Sequence, residues 1–331
     1  MRIVSYSGDR DSLLRFVEAA LPRFEIVKAD CREWLKVQHP NSFHAIVTDP
    51  PYGLKEYSET ELRKMKHGRG GIWRIPPKIG GSKRRPLPRF TVLTSEEIRY
   101  LRDFFCAWGN LVKRPLVPGG HIFIASNPLL VHVVSSALTD AGFEARGIIV
   151  RQVRTLKGGF RPKLAEKQFT DVSSMPRSGW EPWAIFRKPF SGRLSENLKR
   201  WGTGGLRRNP DGTPICDVIP SERTPSAEHK IAPHPSLKPQ RFLRRLVWAA
   251  LPLGKGVVVD TFCGSGSTVA ACVALGYTAI GVETNQEYVD MARRVVPKLA
   301  GLEVDTWKNG NGNNGANNKG RVLRDQKLGV F

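Results

Sequence analysis

The sequence predicts an α/β protein built on an open, mostly parallel sheet, and three stretches predict it. Gly256-Val257-Val258-Val259 is an apolar, β-branched run that ends on Asp260. Val269–Leu275 is a small-residue helical run closed by Gly276. Thr278–Val282 is a second strand that ends on Glu283. Strand, Gly-rich turn, helix and strand make a βαβ unit, and a continuous apolar run is the mark of a strand covered on both faces.

Length and composition fit one large domain with insertions, or two domains: the chain has 331 residues and 40% hydrophobic content, enough for a core. There are 52 Lys+Arg against 30 Asp+Glu, a net charge of +22, and the pI is near 10.2. That excess points to a polyanionic partner. Five scattered cysteines without Cys-x-x-Cys spacing fit a reducing, cytoplasmic setting and predict neither a metal site nor a disulfide framework. No apolar run approaches the length of a membrane span.

From the start, the pattern reads as a helix over Ser12–Leu21, a strand Phe24–Val27 ending at Ala29-Asp30, a helix Cys31–Val37 and a strand Phe43–Thr48. Asp49-Pro50-Pro51-Tyr52-Gly53 follows that strand, at the carboxyl end where parallel sheets collect ligands. Two prolines stiffen the turn and remove backbone donors, which leaves carbonyl oxygens beside a carboxylate and an aromatic ring. A plain strand-ending turn would satisfy the same residues.

Residues 54–90 carry eleven Lys/Arg against three Glu and show no strong period, which predicts a long basic loop. Thr94-Ser95-Glu96-Glu97 is a capping box opening a helix to about Val112. Pro118-Gly119-Gly120 reads as a turn into the strand His121–Ala125, followed by a helix Leu129–Ala141 and a strand near 147–150. From Arg151 to about Pro233 the patterning fades, with Trp183–Phe186 the one convincing strand. Residues 146–208 hold fifteen Lys/Arg against four acids with tryptophans interleaved, suited to a groove that follows phosphates and stacks bases, or to a solvated basic surface. His234-Pro235-Ser236-Leu237-Lys238-Pro239 opens an amphipathic helix, Gln240–Ala250; the Gly-rich unit follows, then a helix Asn285–Val296 and an Asn/Gly tail.

The turn Asp260-Thr261-Phe262-Cys263-Gly264-Ser265-Gly266-Ser267-Thr268 limits the ligand. Nicotinamide and flavin enzymes use a similar device, but the third glycine of Gly-x-Gly-x-x-Gly is missing. Asp260 would also oppose a pyrophosphate while welcoming a cationic amine. Adenosyl-methionine offers that amine, a sulfonium and a ribose diol for Glu283.

Together these pieces resemble the β-class of amino-group DNA methyltransferases, the N6-adenine and N4-cytosine enzymes, over about residues 24–297. Four elements carry the resemblance: Asp49-Pro50-Pro51-Tyr52, the His234–Pro239 stretch, Asp260–Thr268, and Ile280–Glu283 with Tyr288 downstream. Their order, catalytic motif first and donor motif last, is that of the class. The resemblance implies a Rossmann-like, circularly permuted α/β methyltransferase fold dependent on S-adenosyl-L-methionine, with a basic target-recognition insertion. It implies catalytic roles for Asp49, Pro50, Pro51 and Tyr52. Asp260, Phe262, Gly264 and Gly266 would hold the methionine end of the donor, Glu283 its ribose, and Asp30 (preferred over Asp9) its adenine, with Ser265 and Thr268 also among the donor-binding residues. His234, Ser236 and Lys238 belong to the segment that closes over it. Thr261 departs from the proline common at its position, and Ser267 from a common threonine.

By the same reading the core runs over 1–53, 91–189 and 234–300, and residues 301–331 form a flexible tail. Residues 54–90, with Arg69, Lys83, Arg84 and Arg85, form a DNA-contacting loop; residues 190–233, with Arg207 and Arg208, form the target-recognition region. Double-stranded DNA is the implied partner, with a homodimer and a cognate restriction endonuclease left open. Adenine N6 is the expected target and cytosine N4 the alternative. Methylation of RNA or protein glutamine, or a catalytically idle DNA-binding subunit, fits the motif order and intact motifs less well.

Overall fold

The computed structural model describes residues 24–54, 78–79, 82–83, 93–153, 159, 161–162, 164–234 and 236–307. The helix expected over 12–21, most of the basic 54–90 loop with Arg69, Arg84 and Arg85, and the Asn/Gly tail lie outside them. In chain order the elements are β1 (Phe24–Lys28), α1 (Cys31–Lys36), β2 (Phe43–Thr48), the two-residue strands β3 (Lys78–Ile79) and β4 (Ser82–Lys83), α2 (Ser95–Lys113), β5 (Leu116–Ala125), α3 (Val131–Asp140) and β6 (Glu144–Gln152). Then come β7 (Trp180–Arg187), α4 (Leu194–Trp201), β8 (Val218–Pro220), α5 (Ser226–Ile231), α6 (Gln240–Ala250), β9 (Val257–Asp260), α7 (Ser267–Ala274), β10 (Thr278–Glu283) and α8 (Gln286–Ala300).

Eight strands form one sheet in the order β1-β10-β9-β2-β5-β7-β6-β8. The first five run parallel, and β7 is antiparallel to both β5 and β6. The central strands β9 and β2 are remote in sequence yet pair at Ala45–Val258 and Ile46–Val259. From this pair, one run of strands leads outward through β10 to β1 and another through β5. A crevice therefore opens at the carboxyl ends of β9 and β2, the switch point where open α/β sheets bind ligands. The late position of β9 and β10 in the chain is the permuted order expected from the motifs.

Helices cover both faces. Leu35 of α1, Leu101, Phe105 and Trp108 of α2 and Val134 and Leu138 of α3 pack on one. Phe242, Leu246 and Val247 of α6, Val269 and Ala270 of α7 and Val289 and Val296 of α8 pack on the other. The Thr94 capping box forms as expected: Glu97 N–H donates to Thr94 Oγ1 at 3.2 Å and Thr94 N–H to the Glu97 carboxylate at 2.7 Å.

Two expectations change. Pro118-Gly119-Gly120 is a bulge inside β5 rather than a turn before it: Leu116 pairs with Phe43 but His121 with Ala45. Gly119 has φ +76, and a Cβ there would lie 2.4 Å from Asn197 Nδ2. That amide and the Thr203 hydroxyl both donate to Pro118 O, so the bulge is where the segment after β7 docks.

That docking divides the stretch 190–233. Its first part packs at the amino ends of the parallel strands, as Arg187 donates to Gly204 O, and Lys188 to Leu116 O. Arg207 donates to the Tyr277 hydroxyl at 2.8 Å and lies 3.4 Å over the Trp248 ring, while Trp248 Nε1 donates to Arg208 O. Tyr277 precedes β10, and Trp248 is in the last turn of α6. Arg207 and Arg208 are thus a strand's length, ~20 Å, from the crevice. Only β8, parallel to β6, brings the chain back to the carboxyl ends, with α5 beyond it.

Candidate active site

The half expected to hold the donor is built by the turn between β9 and α7. Gly264 (φ +52) and Gly266 (φ +81) adopt backbone that side chains resist, and a Cβ on Gly266 would meet Val296 at 2.5 Å. Gly281 on β10 lets the turn sit close, since a Cβ there would lie 2.4 Å from Cys263 Sγ. Glu283 holds the turn: one carboxylate oxygen accepts Gly264 N–H at 2.8 Å, and the other Asn285 N–H at 2.9 Å. Oε2 keeps a further lone pair, and the second acceptor position of Oε1 is taken only by the Thr284 hydroxyl at 3.4 Å, a long bond that a ribose hydroxyl could replace.

Asp260 is buried behind this turn. Its Oδ1 accepts from the Thr48 hydroxyl at 2.6 Å and from Phe262 N–H at 3.1 Å. Burial pushes its pKa up to about 6, against hydrogen bonds from Thr48, Thr268 and Phe262 that favour the ionised form. A cation at this carboxylate would restore its ordinary acidity. Ser265 and Thr268 are buried beside it, and the Phe262 ring stands 6.2–6.5 Å from Phe104, Phe105 and Trp108. Asp30, at the end of β1 beside β10, caps α1 by accepting from Arg32 and Glu33 N–H. Hydrogen bonds and the Arg32 charge lower its pKa, though burial alone would raise it.

The half expected to take the target surrounds Asp49, at the end of β2. Its Oδ2 meets Lys238 Nζ at 2.5 Å, and Lys238 also lies 3.6 Å from Glu181 Oε2. Glu181 in turn accepts from Arg151 at 3.3 Å and from Trp183 Nε1 at 3.0 Å. This is a buried chain of alternating charge, Asp49–Lys238–Glu181–Arg151. Burial raises the Asp49 pKa despite the opposing Lys238 charge; Glu181 is held at about 2, because Lys238 and Arg151 outweigh its burial. Lys238 is pulled down by burial and pushed further up by the two carboxylates. Asp49 Oδ1 is sealed from solvent and takes no well-aligned hydrogen bond, with the Tyr52 hydroxyl beside the carboxyl. The Lys238 ammonium lies 5.7 Å from the centroid of the Tyr52 ring. A strand-end carboxylate is expected on an open cleft; instead Asp49 is enclosed and ion-paired.

The hexapeptide 234–239 touches both halves. His234 lies over the Gly turn, where a Cβ on Gly264 would come within 3.3 Å of its ring, and packs edge-on against Tyr288 at 4.6 Å. Ser236 is exposed and its N–H donates to His234 Nδ1. Lys238, expected at the donor, reaches Asp49 instead. Thr48, Arg151, Glu181 and Trp183 also belong to the site, although the motifs do not include them. The one signal for Glu181 is the alternation Trp-Glu-Pro-Trp, which places it two residues from Trp183 on one face of a strand. Of the expected DNA-contacting residues, Lys83 lies in β4, while Arg207 and Arg208 are remote from the crevice. Among the described residues no group of His, Cys, Asp or Glu is arranged to hold a metal ion, and no helix is long and apolar enough to cross a membrane.

A glycine-rich turn beside two carboxylates, Asp260 and Glu283, with a separate carboxylate next to an aromatic ring, suits an adenosyl-methionine-dependent methyltransferase. The chain belongs to the N6/N4 family of DNA methylases, whose profile matches residues 43–294. It is similar to the Type II methyltransferase M2.DpnII of Streptococcus pneumoniae, 24% identical over 81% of this chain and 88% of that one. It is also similar to M2.LlaDCHI of Lactococcus lactis subsp. cremoris, 25% identical over 83% and 90%. Among solved structures, the M1.HpyAVI–SAM complex superposes with a TM-score of 0.52 at 17% identity, covering 84% of this chain and 100% of that one. The cytosine-N4-specific PvuII DNA methyltransferase does so with a TM-score of 0.52 at 14% identity, covering 86% and 90%. The protein is thus an S-adenosyl-methionine-dependent DNA methyltransferase acting on an exocyclic amino group, with the α/β fold expected from the sequence.

Proposed function

We propose that the target is the N6 amine of an adenine turned out of the duplex, and that Asp49 and the Pro50 carbonyl accept its two hydrogens. The observation that carries the amine-acceptor mechanism is the buried Asp49 carboxyl, whose Oδ1 has only the Tyr52 hydroxyl beside it; Asp at the first motif position favours adenine over cytosine as the target. An amine conjugated to its ring is a poor nucleophile because its lone pair is delocalised. Two acceptors would draw the nitrogen toward sp³ and turn the lone pair out of the ring plane. The Tyr52 ring would stack on the extruded base, whose unpairing costs a few kcal/mol. The proton lost on transfer has Asp49 as its nearest base. The donor, when bound, supplies an electrophilic methyl on a sulfonium. Asp260 would hold its amine, Glu283 its ribose and Asp30 its adenine, with His234 and Ser236 over the Gly264–Gly266 turn.

The basic segment 54–90, with Arg69, Lys83, Arg84 and Arg85, is proposed to contact the DNA backbone. For target recognition we favour 218–233 and the β6–β7 connection over 190–217, because both emerge at the crevice end of the sheet. The Type II names of the relatives support a cognate restriction endonuclease as a partner and the cytoplasm as the place of action.

Incubation with labelled donor and duplex DNA, followed by digestion to nucleosides, tests the target. N6-methyladenine is expected. N4-methylcytosine would keep the mechanism and change the base, whereas 5-methylcytosine, or methylated RNA with unmodified DNA, would end this reading.

A further inference from the structure

Arg241 and Arg245 stand one turn apart on α6, beside the catalytic residues but not among them. Both line a pocket walled by Ser221, Glu222 and Arg223 of the loop after β8 and by Phe242. Arg245 is only 8% exposed. Arg241 Nη2 and Arg245 Nε are buried without a hydrogen-bond partner, and neither guanidinium forms an ion pair among the described residues. Glu222 lines the same pocket but pairs with neither. Burial, and after it the Arg241 charge, pulls Arg245 below the usual arginine range. Buried cations are ordinarily paired, because desolvating a charge without a counter-charge is costly. Two adjacent guanidiniums with free donors therefore present a site for an anion, and their forked geometry suits phosphate.

The neighbourhood identifies the source of that phosphate. Arg151 donates to Ser221 Oγ at 3.0 Å and to Glu222 O at 2.9 Å, on the wall of this pocket. The same Arg151 pairs with Glu181, which leads through Lys238 to Asp49. The pocket is thus one side chain removed from the target half of the active site. Resting on the DNA methyltransferase reading, we infer that Arg241 and Arg245 form a phosphodiester-binding site that grips the DNA backbone next to the extruded nucleotide.

The test pairs Arg241→Gln/Arg245→Gln with single methylphosphonate substitutions in the duplex. In the double variant the slope of log affinity against log salt should fall by about 0.9, the share of one phosphate no longer neutralised. One neutral linkage near the target base should lower the wild-type slope equally and leave the variant's unchanged. Donor affinity should be unaltered, and the melting temperature unchanged or higher, since an unpaired buried charge has been removed. An unchanged salt slope overturns the inference, as do additive effects of variant and neutral linkage. So does stabilisation by inorganic phosphate without any change in DNA binding, which would mark a site for a free anion. Should the variant fail to fold, the wild-type scan decides alone: no sensitive linkage within about two nucleotides of the target means no such site. Methyl transfer to the unmodified duplex, measured in parallel, separates failure of this site from failure of the DNA reading.

Discussion

The two halves of the proposed active site are made differently. The donor half comes mainly from one contiguous βαβ unit, β9 to β10, to which β1 adds Asp30, and its polar groups are held mainly by backbone N–H groups. The target half is assembled from β2, β6, β7 and the 234–239 segment, and side-chain charges hold it together. A half built from backbone is fixed as soon as the unit folds. A half built from alternating charges depends on every member and can respond when one is replaced. The two halves should therefore fail separately.

The largest effect should come from Asp49→Asn. The amide keeps the volume and one acceptor but can no longer take a proton. We expect kcat to fall by about 10²–10³-fold, the scale of losing one pre-oriented polar group at a reacting centre. Calorimetry should find donor affinity unchanged; an equal loss of donor binding would show that the halves are a single unit.

Asp260→Asn should do the reverse. Donor affinity should fall by about 1.5–3 kcal/mol, the value of a charged hydrogen bond, while donor-saturated kcat changes little. The pH dependence gives a second reading. The Asp260 pKa is about 6 in the folded protein against 3.8 ordinarily, so the folded state holds the extra proton between those values. Its contribution to stability is therefore greatest below pH ~4 and declines as pH rises toward ~6, by about 3 kcal/mol at most. Asp260→Asn should accordingly melt at or above the wild-type temperature at pH 7 without donor. Wild-type donor affinity should weaken below pH ~6, and the variant's should not follow.

The contrast between the halves also explains what is legible in the sequence. Periodicity finds the strands and helices of the sheet because each buries a face, and the turn around Gly264 and Gly266 is readable because its spacing is local. Asp49-Pro50-Pro51-Tyr52 is readable for the same reason. Glu181 and Arg151 are not: each is an ordinary charged residue in a strand until β6 and β7 fold beside β5. Composition likewise suits the basic and aromatic residues of 146–208 to a nucleic-acid groove, yet Arg207 stacks on Trp248 at the far end of the sheet. Charge density in a sequence does not say which end of a sheet it reaches. The bulge at Gly119 reads as a turn because its partner, Asn197, is remote in sequence.

Lys238→Met should have a smaller effect than either carboxylate variant, and a distinctive one. Methionine fills the space and removes the counter-charge of Asp49, whose pKa burial already raises. The Asp49 carboxylate should then ionise only at higher pH. Activity near neutrality should drop by roughly tenfold, corresponding to about 1.4 kcal/mol, and recover as pH rises. A pH–rate profile of unchanged shape, or a loss of donor affinity instead, would return Lys238 to the donor half where the motif places it.

The smallest effect should come from the residue that joins the halves. Thr48 ends the strand that carries Asp49, yet its hydroxyl donates to Asp260 at 2.6 Å. It is fully buried, so Thr48→Val keeps the shape and removes one hydrogen bond. Without that donor the Asp260 carboxyl should titrate higher still, since the bond favours its ionised form. Donor affinity at pH 7 should weaken by only about 0.5–1.5 kcal/mol, the net value of one bond, because Phe262 N–H still donates to the same oxygen. The deficit should widen as pH falls, since the variant protonates first. At saturating donor, kcat should match wild type if the hydroxyl serves only to hold Asp260. A kcat loss at saturation, with unchanged donor affinity, would mean that Thr48 positions Asp49 instead, and that the two halves communicate through β2 itself.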